Sequence, residues 1–515
     1  NYERSENFFK KLNDSQVDNQ KYFSRFIQSL VNLEKYSEAY RYSKKLDKEK
    51  KSNFESNIFL GLYEFKNGNF DKSQSYFKRL KRNSENFLVF DILKVSLEAW
   101  TKISKSKKEE DIKLLDFGKP SYYNLEKVQK VFANCYLQTS NTEKEFLSII
   151  QDEKSNFSRY SFFAPNYFFN KKEKNRAIEL INSASEDYPR NLLINQYKKF
   201  LEGKEKNKNL FNCTNSANIM AEVFYILANV LSAQENYKLS NFYINLSKFL
   251  NPNFLSYDSL LAENLFILKK YDDAKKIYKK LFKVGSDYMW YSSRQIASIM
   301  EEEKKGDSIK FLSGVYKNID ANIYDTFDFA NFLRNKEDYK ESIKLYSKIL
   351  INIDESHKLY PGVLERRGMA YERNDNWDLA EKDLVESLNI RPDDAYTMNY
   401  LAYSWIEKNQ NIDQALSMLK RANDLKKNNG YITDSLGWAL FKSGYFLEAK
   451  KYLEIAIVLM PTDPIINDHY ADCLWMNNNK IQARYYWNYV LKSDKADEEL
   501  KIKVEKKYLF GLQNT

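Results

Sequence analysis

GYITDSLGWALFKSGYFLEAKKYLEIAIVLMPTD, residues 430–463, is the stretch from which the rest of the chain can be read. Counted from Gly430 as position 1, Leu436 and Gly437 stand at 7 and 8 and Leu440 at 11. Ala449 follows at 20, Leu453 at 24, Ala456 at 27 and Pro461 at 32. Small residues at 8, 20 and 27 let two helices approach closely, and bulky apolar residues at 7, 11 and 24 fill the space left between them. Proline at 32 lacks a backbone N–H and ends the second helix before a new unit begins. The spacing predicts two antiparallel helices per unit, each pair stacked on the next.

The frame runs in both directions. Downstream, Pro464 opens a unit with Ala471, Leu474, Ala483 and Trp487. Upstream, Ala395 opens one with Leu401, Ala402 and Trp405, and one extra residue in its inter-helix turn moves Ala415 a place late. Pro361, Ile323, Leu255 and Ala221 begin further units, Ser158 a weaker one, and Gln20 and Phe54 two in frame near the N-terminus. From Leu88 to Phe157 the frame is lost and degenerate helical hairpins are expected; from Trp290 to Asn318 the match is poor, though helices are still expected. The polar stretch GKEKNKNLFNCTNS, Gly203 to Ser216, reads as a linker or an elbow. The expected organisation is an N-terminal arm of helical and degenerate repeats over 1–203 and a C-terminal superhelix over 217–494. A capping helix and tail over 495–515 would cover the open end that a solenoid leaves.

A period of about 34 residues with two helices per unit is that of the tetratricopeptide repeat (TPR), which this chain resembles. The resemblance implies an all-α fold, a TPR α-solenoid superhelix of antiparallel helix pairs. The runs YLAYSWIEKNQNIDQAL, YITDSLGWALFKSGYFLEA and PTDPIINDHYADCLWMNNNKIQARYYW further resemble one TPR family of Gram-negative envelopes. That likeness, strongest from Pro361 to Lys492, implies a lipoprotein or exported protein, periplasmic and held at the outer membrane by an N-terminal lipid. Some members of that family are adaptors that bring a C-terminal-processing peptidase to substrates such as peptidoglycan-remodelling hydrolases. The lipid-accepting cysteine is absent here, and the chain opens on Asn1 rather than methionine, which leaves room for an upstream segment. A cytoplasmic adaptor or assembly factor is the alternative.

Composition narrows the partners. Net charge is +10, but the signs interleave, as in KKLDKEKK (44–51) and KSKKEED (105–111), a pattern of solvated helix faces. A nucleic-acid groove needs a one-signed stripe, so RNA binding by helical repeats is the weaker reading. The three cysteines, Cys135, Cys213 and Cys473, are far apart and odd in number, and suggest neither a disulfide framework nor a metal site. Cys473, at position 10 of its unit, reads as a small core residue. No apolar run is read as long enough to span a membrane. His469 with Asp468 and Asp472 would make an acid–base cluster, but the spacing reads better as helix-surface or groove residues. With no H-E-x-x-H, G-x-S-x-G or phosphate-binding loop, no catalytic residue, cofactor or metal is expected.

The inner wall of a TPR superhelix is lined by positions 2, 5, 9, 12 and 13 of the first helix of each pair. In the last three units position 2 is Tyr396, Tyr431 and Ile465, and position 5 is Asn399, Asp434 and Asp468. Position 9 is Tyr403, Trp438 and Asp472, and position 12 is Ile406, Phe441 and Trp475. Aromatic anchors beside amides and carboxylates suit a protein or peptide partner; the competing reading is that several of these rings pack between helices. Chaperone-tail-binding TPR domains grip a terminal carboxylate with Lys and Asn, whereas Asp434 and Asp468 would repel one. The expected function is a non-catalytic scaffold.

Overall fold

The computed structural model describes residues 20–82, 89–119, 122–151 and 158–512. The rest of the stretch without a repeat frame, the end of the unit begun at Phe54 and both extreme termini lie outside the described residues. The chain divides into two compact units, 1–320 and 321–515. Helices of the first are α1 (Gln20–Asn32), α2 (Tyr36–Lys48), α3 (Phe54–Lys66), α4 (Phe70–Phe77), α5 (Phe90–Ser106), α6 (Tyr123–Leu137), α7 (Thr142–Ile150) and α8 (Phe163–Asn170). They continue as α9 (Lys174–Asp187), α10 (Leu192–Leu201), α11 (Ser216–Ala233), α12 (Tyr237–Leu250), α13 (Tyr257–Ile267), α14 (Tyr271–Leu281), α15 (Ser286–Glu302) and α16 (Ser308–Tyr316). The second unit holds α17 (Ile323–Asn335), α18 (Tyr339–Asn352), α19 (Tyr360–Arg373), α20 (Trp377–Ile390), α21 (Ala395–Glu407) and α22 (Ile412–Leu425). It closes with α23 (Gly430–Lys442), α24 (Phe446–Leu459), α25 (Pro464–Met476), α26 (Lys480–Lys492) and α27 (Glu498–Phe510). No strand occurs among the described residues, only the isolated bridge between Asn209 and Phe254. The fold is an all-α solenoid of helix pairs.

The repeat frame is visible in the backbone itself. At position 15 of every unit found in the sequence a residue of positive φ closes the turn between the two helices. These are Glu34, Gly68, Lys172, Glu235, Lys269, Glu337, Asp375, Asn409, Gly444 and Asn478. The extra residue of the Ala395 unit sits here, with Asn409 and Asn411 both left-handed. The same turn recurs at Gln138, between α6 and α7, and at Lys304, between α15 and α16. Those two stretches are therefore helical hairpins, although their side chains do not keep the pattern. Within the pairs the small residues do what their spacing implies: Ala449 and Ala456 are fully buried, and a Cβ on Gly437 would lie 2.6 Å from Leu453 Cγ.

The first unit departs from nearest-neighbour stacking. Hairpin α11–α12 packs on α1, α3, α5 and α6, first helices of N-terminal pairs some 100–200 residues away. Tyr36 Oη donates to Asn245 O at 3.1 Å, Lys248 bridges Glu34 and Asp258, and Phe249 lies among Tyr36, Phe59 and Tyr63. One core runs from Tyr22 to Ile299. Since first helices line the inner face of such a stack, the inner wall of the N-terminal arm is filled by the chain itself.

Three expectations are corrected by this packing. The compact units part at Asp320, and the 203–216 stretch lies inside the first of them. Glu205 accepts there from Ser286 N and Gln196 Nε2, and Asn209 and Phe211 are buried, so the stretch packs against the unit although most of its other polar residues are exposed. Cys135 on α6 and Cys213 are paired in a disulfide, with Cα atoms 5.8 Å apart, against the expectation of three separate thiols. Sequence spacing could not reveal this because the contact of α11 with α6 brings the two together. Third, Ser216–Ala233 is long and apolar enough to cross a membrane, but most of it is buried inside the unit, where it serves as the central core helix.

Candidate protein-binding groove of the second unit

The first helices of the pairs are placed by their caps. Asn322 forms a capping box with Asp325, and Asp394, Asn429 and Asp463 each accept from backbone N–H groups one turn on. Helix α17 then packs beside α19, α21 beside α23, and α23 beside α25, so that the same positions of successive units form rows.

The position-2 row is the open one: Tyr396, Tyr431 and Ile465 are each more than half exposed, at 54%, 56% and 51%. Behind it Asn399 is half-buried, and its Oδ1 is buried with no hydrogen-bond partner among the described residues. Tyr403 is half-buried. Trp438 donates from Nε1 to Glu407 Oε1 at 2.6 Å, and its ring stacks on His469 at 4.0 Å and on Phe441 at 5.0 Å. Ile406 is core.

The carboxylates stand differently from expectation. Asp434 is buried and bonds His469 Nδ1 at 3.0 Å. Asp468 and Asp472 are buried and share Lys507 Nζ of α27, each at 2.7 Å; Asp472 also accepts from Trp487 Nε1 at 3.0 Å. None of the three is a free groove carboxylate repelling acidic partners, because each is matched by a cation. Gly511, at φ +78°, lies so close to Trp475 that a Cβ there would be 2.1 Å from the indole. The capping helix therefore does more than cover apolar surface: it fills the last level of the groove, at Asp468, Asp472 and Trp475.

At the opposite end stand two arginines that the register of the last three units does not reach. Arg334 occupies position 12 of its unit, so carrying the same count to the Ile323 unit would have found it, whereas Arg366 stands at position 6 of the next, which is not an inner-wall position. Both point an Nη1 at the Met369 thioether, at 3.2 and 3.6 Å, a weak acceptor. Arg334 Nε is buried without a hydrogen-bond acceptor among the described residues, its Nη2 donates to Asn335 Oδ1 at 3.1 Å, and the carboxylate beside Arg366, Glu365, is 3.9 Å away. Lys507 lies outside the repeat frame, so no positional signal points to it.

The buried ionic residues make this unit pH-sensitive. Burial opposes charge on His469, but Asp434, then Asp468 and Asp472, outweigh it and raise its pKa above the usual histidine value. Burial, with the Asp468 charge, pushes the Asp472 carboxyl up to about 7 against the pull of Lys507. For His469, stability is fully present below the ordinary pKa and is lost as pH rises through the raised one. For Asp472, the fold holds a proton that the unfolded chain has released, so stability falls as pH climbs from about 4 towards 7. Both act in the same direction. Unfolding of the second unit, followed by hydrogen exchange, is expected to become easier by roughly 2 kcal/mol between about pH 5.5 and pH 8; unchanged or greater protection at the higher pH would contradict this.

Helix pairs in this register, closed by one recurring left-handed turn, define a tetratricopeptide-type helical-repeat protein. No family model matches the chain. It is 30% identical over 112 residues to the TPR repeat-containing protein PA4667 of Pseudomonas aeruginosa, covering 21% of this chain and 19% of that protein. It is 34% identical over 90 residues to the bacteriophage adsorption protein A of Escherichia coli, covering 17% and 9% respectively. The chain thus spans a fifth or less of the length of these curated relatives. Among solved structures, a thermophilic TPR protein of Thermus thermophilus is similar to 37% of this chain and to all of its own, with 16% identity and a TM-score of 0.32.

Proposed function

We propose that this chain is a non-catalytic scaffold of the bacterial cell envelope whose second unit grips a protein segment, serving to recruit a peptidase or a cell-wall enzyme. TPR proteins bind peptide or protein partners. The observation that carries the reading is the row of Tyr396, Tyr431 and Ile465, three large side chains kept exposed on successive first helices beside Tyr403 and Trp438. Side chains of this kind anchor interfaces. Arg334, at position 12 of its unit, adds a cation towards the other end of the groove from the one sealed by Lys507. The Cys135–Cys213 disulfide supports an oxidising compartment such as the periplasm.

A photo-crosslinking amino acid placed at Tyr431 is expected to capture one discrete protein in cells, and the same probe at Ile481 on α26, 88% exposed, to capture none. Trp438→Ala should weaken that adduct about thirtyfold, as loss of an interface hot spot does. On chain recovered from cells and denatured, alkylation without reductant should mark Cys473 alone. Equal capture from both probe positions would sink the groove, and alkylation of all three cysteines the envelope location.

A further inference from the structure

The first unit has a cavity of about 580 Å³ between the C-terminal ends of α8 and α10, the 203–215 segment and the start of α11. Eight of its fifteen lining residues are asparagine, although only 53 of the 515 residues in the chain are. The general richness in asparagine would account for one or two. Four of these amides are oriented by their own hydrogen bonds. The Oδ1 of Asn207 accepts from Asn209 N at 2.9 Å, that of Asn212 from Thr214 N at 2.9 Å and Oγ1 at 2.8 Å, that of Asn215 from Ala217 N at 2.9 Å, and that of Asn218 from Asn212 N at 3.0 Å. With each oxygen spent on the backbone, each NH₂ group makes no hydrogen bond among the described residues and is free to donate to a ligand. The apolar part of the lining includes the half-buried rings of Phe169 and Phe200, with centroids 5.0 Å apart and planes 72° apart. The disulfide at Cys213 ties this wall to α6.

We infer that this cavity is a saccharide-binding site, separate from the protein-binding groove. A wall dominated by N–H donors, with Glu205 and Lys206 as the charged residues of its lining, needs a ligand rich in oxygen acceptors, and aromatic rings need an apolar face to lie against. A sugar ring offers both at once. Its hydroxyl oxygens accept from the amides, while its own O–H groups rotate towards water or a neighbouring hydroxyl. An extended peptide fits worse, since every second backbone group is an N–H and the oxygens of the four oriented amides already accept from the protein backbone. A carboxylate or phosphate would call for a cation; Lys206 is exposed, and the neighbouring Glu205 is bound to Gln196 and Ser286.

The test is titration of the full chain with maltotetraose, with chitotetraose and with the blocked peptide acetyl-tetraalanine-amide, read by saturation-transfer NMR and calorimetry. At least one saccharide should bind and the peptide should not. Asn207→Asp, Asn212→Asp and Asn218→Asp combined keep every oxygen that holds the backbone but remove the donors, and should weaken binding about tenfold or more, the loss of one or more net hydrogen bonds. Unchanged circular dichroism would show that the variant still folds. Phe200→Leu should weaken binding through the lost ring face. Failure of both saccharides to bind, binding of the peptide in their place, or full affinity in the triple variant would overturn the inference. None of these outcomes bears on capture from Tyr431, so saccharide binding and protein binding fail separately.

Discussion

Glu222→Ala is expected to destabilise the first unit by about 3–5 kcal/mol, because it strands a buried cation. Glu222 is completely buried on α11. It accepts from Arg159 Nε and Nη2, both at 3.0 Å, and from Tyr257 Oη at 2.6 Å. The guanidinium of Arg159 also lies 4.1 Å over the Tyr225 ring. Removing the carboxylate leaves a cation among aromatic rings and a tyrosine hydroxyl without its acceptor. Arg159 keeps 22% of its side chain accessible, so water can compensate in part and the lower end of the range is expected. Urea unfolding with hydrogen exchange should place the loss in 158–299. A change of less than about 1 kcal/mol would mean that the ion pair is not what joins α11 to its surroundings.

Gly437→Val should cost the second unit about 3 kcal/mol, at the upper end of what overpacking a core does. Its Cβ would meet Leu453 Cγ at 2.6 Å and, less forgivingly, Leu453 N at 3.1 Å, so α23 and α24 would have to separate. Gly314→Ala on α16 provides the contrast: nothing lies within 4 Å of that Cβ, and a gain of about 0.5–1 kcal/mol is expected from helix propensity alone. If both substitutions had the same small effect, close helix approach would not be the reason for a small residue at position 8. Separation of α23 from α24 would also shift Trp438, so capture from Tyr431 should fall together with stability.

The pair architecture was legible because close helix contact is a local, periodic demand. Gly437, Ala449 and Ala456 recur at fixed offsets since every pair faces the same steric problem, and one clear copy exposes the frame for most of the chain. Within the stretches where the pattern faded, 88–157 and 290–318, a hairpin persists at Gln138 and another at Lys304 because the turn needs only one residue able to adopt positive φ, and both do so without any glycine to announce it. The capping helix after Asp494 was equally readable from its polar face. The groove was less legible: repeat position put Tyr396 and Tyr431, which are exposed, and Ile406, which is core, on the same inner wall, and it could not say that Asp434, Asp468 and Asp472 would be buried and paired.

From sequence alone came the helix pairs, their order and their register. Tertiary structure alone decided the return of α11–α12 onto the N-terminal pairs, the Cys135–Cys213 bond, the division at Asp320 and the sealing of the last groove level by Lys507. The difference is one of recurrence. Periodic spacing encodes contacts within a pair and with the next, which each unit must make in the same way. A contact between distant units, or with the capping helix, is made once, by side chains that repeat nowhere else, and leaves no period to read.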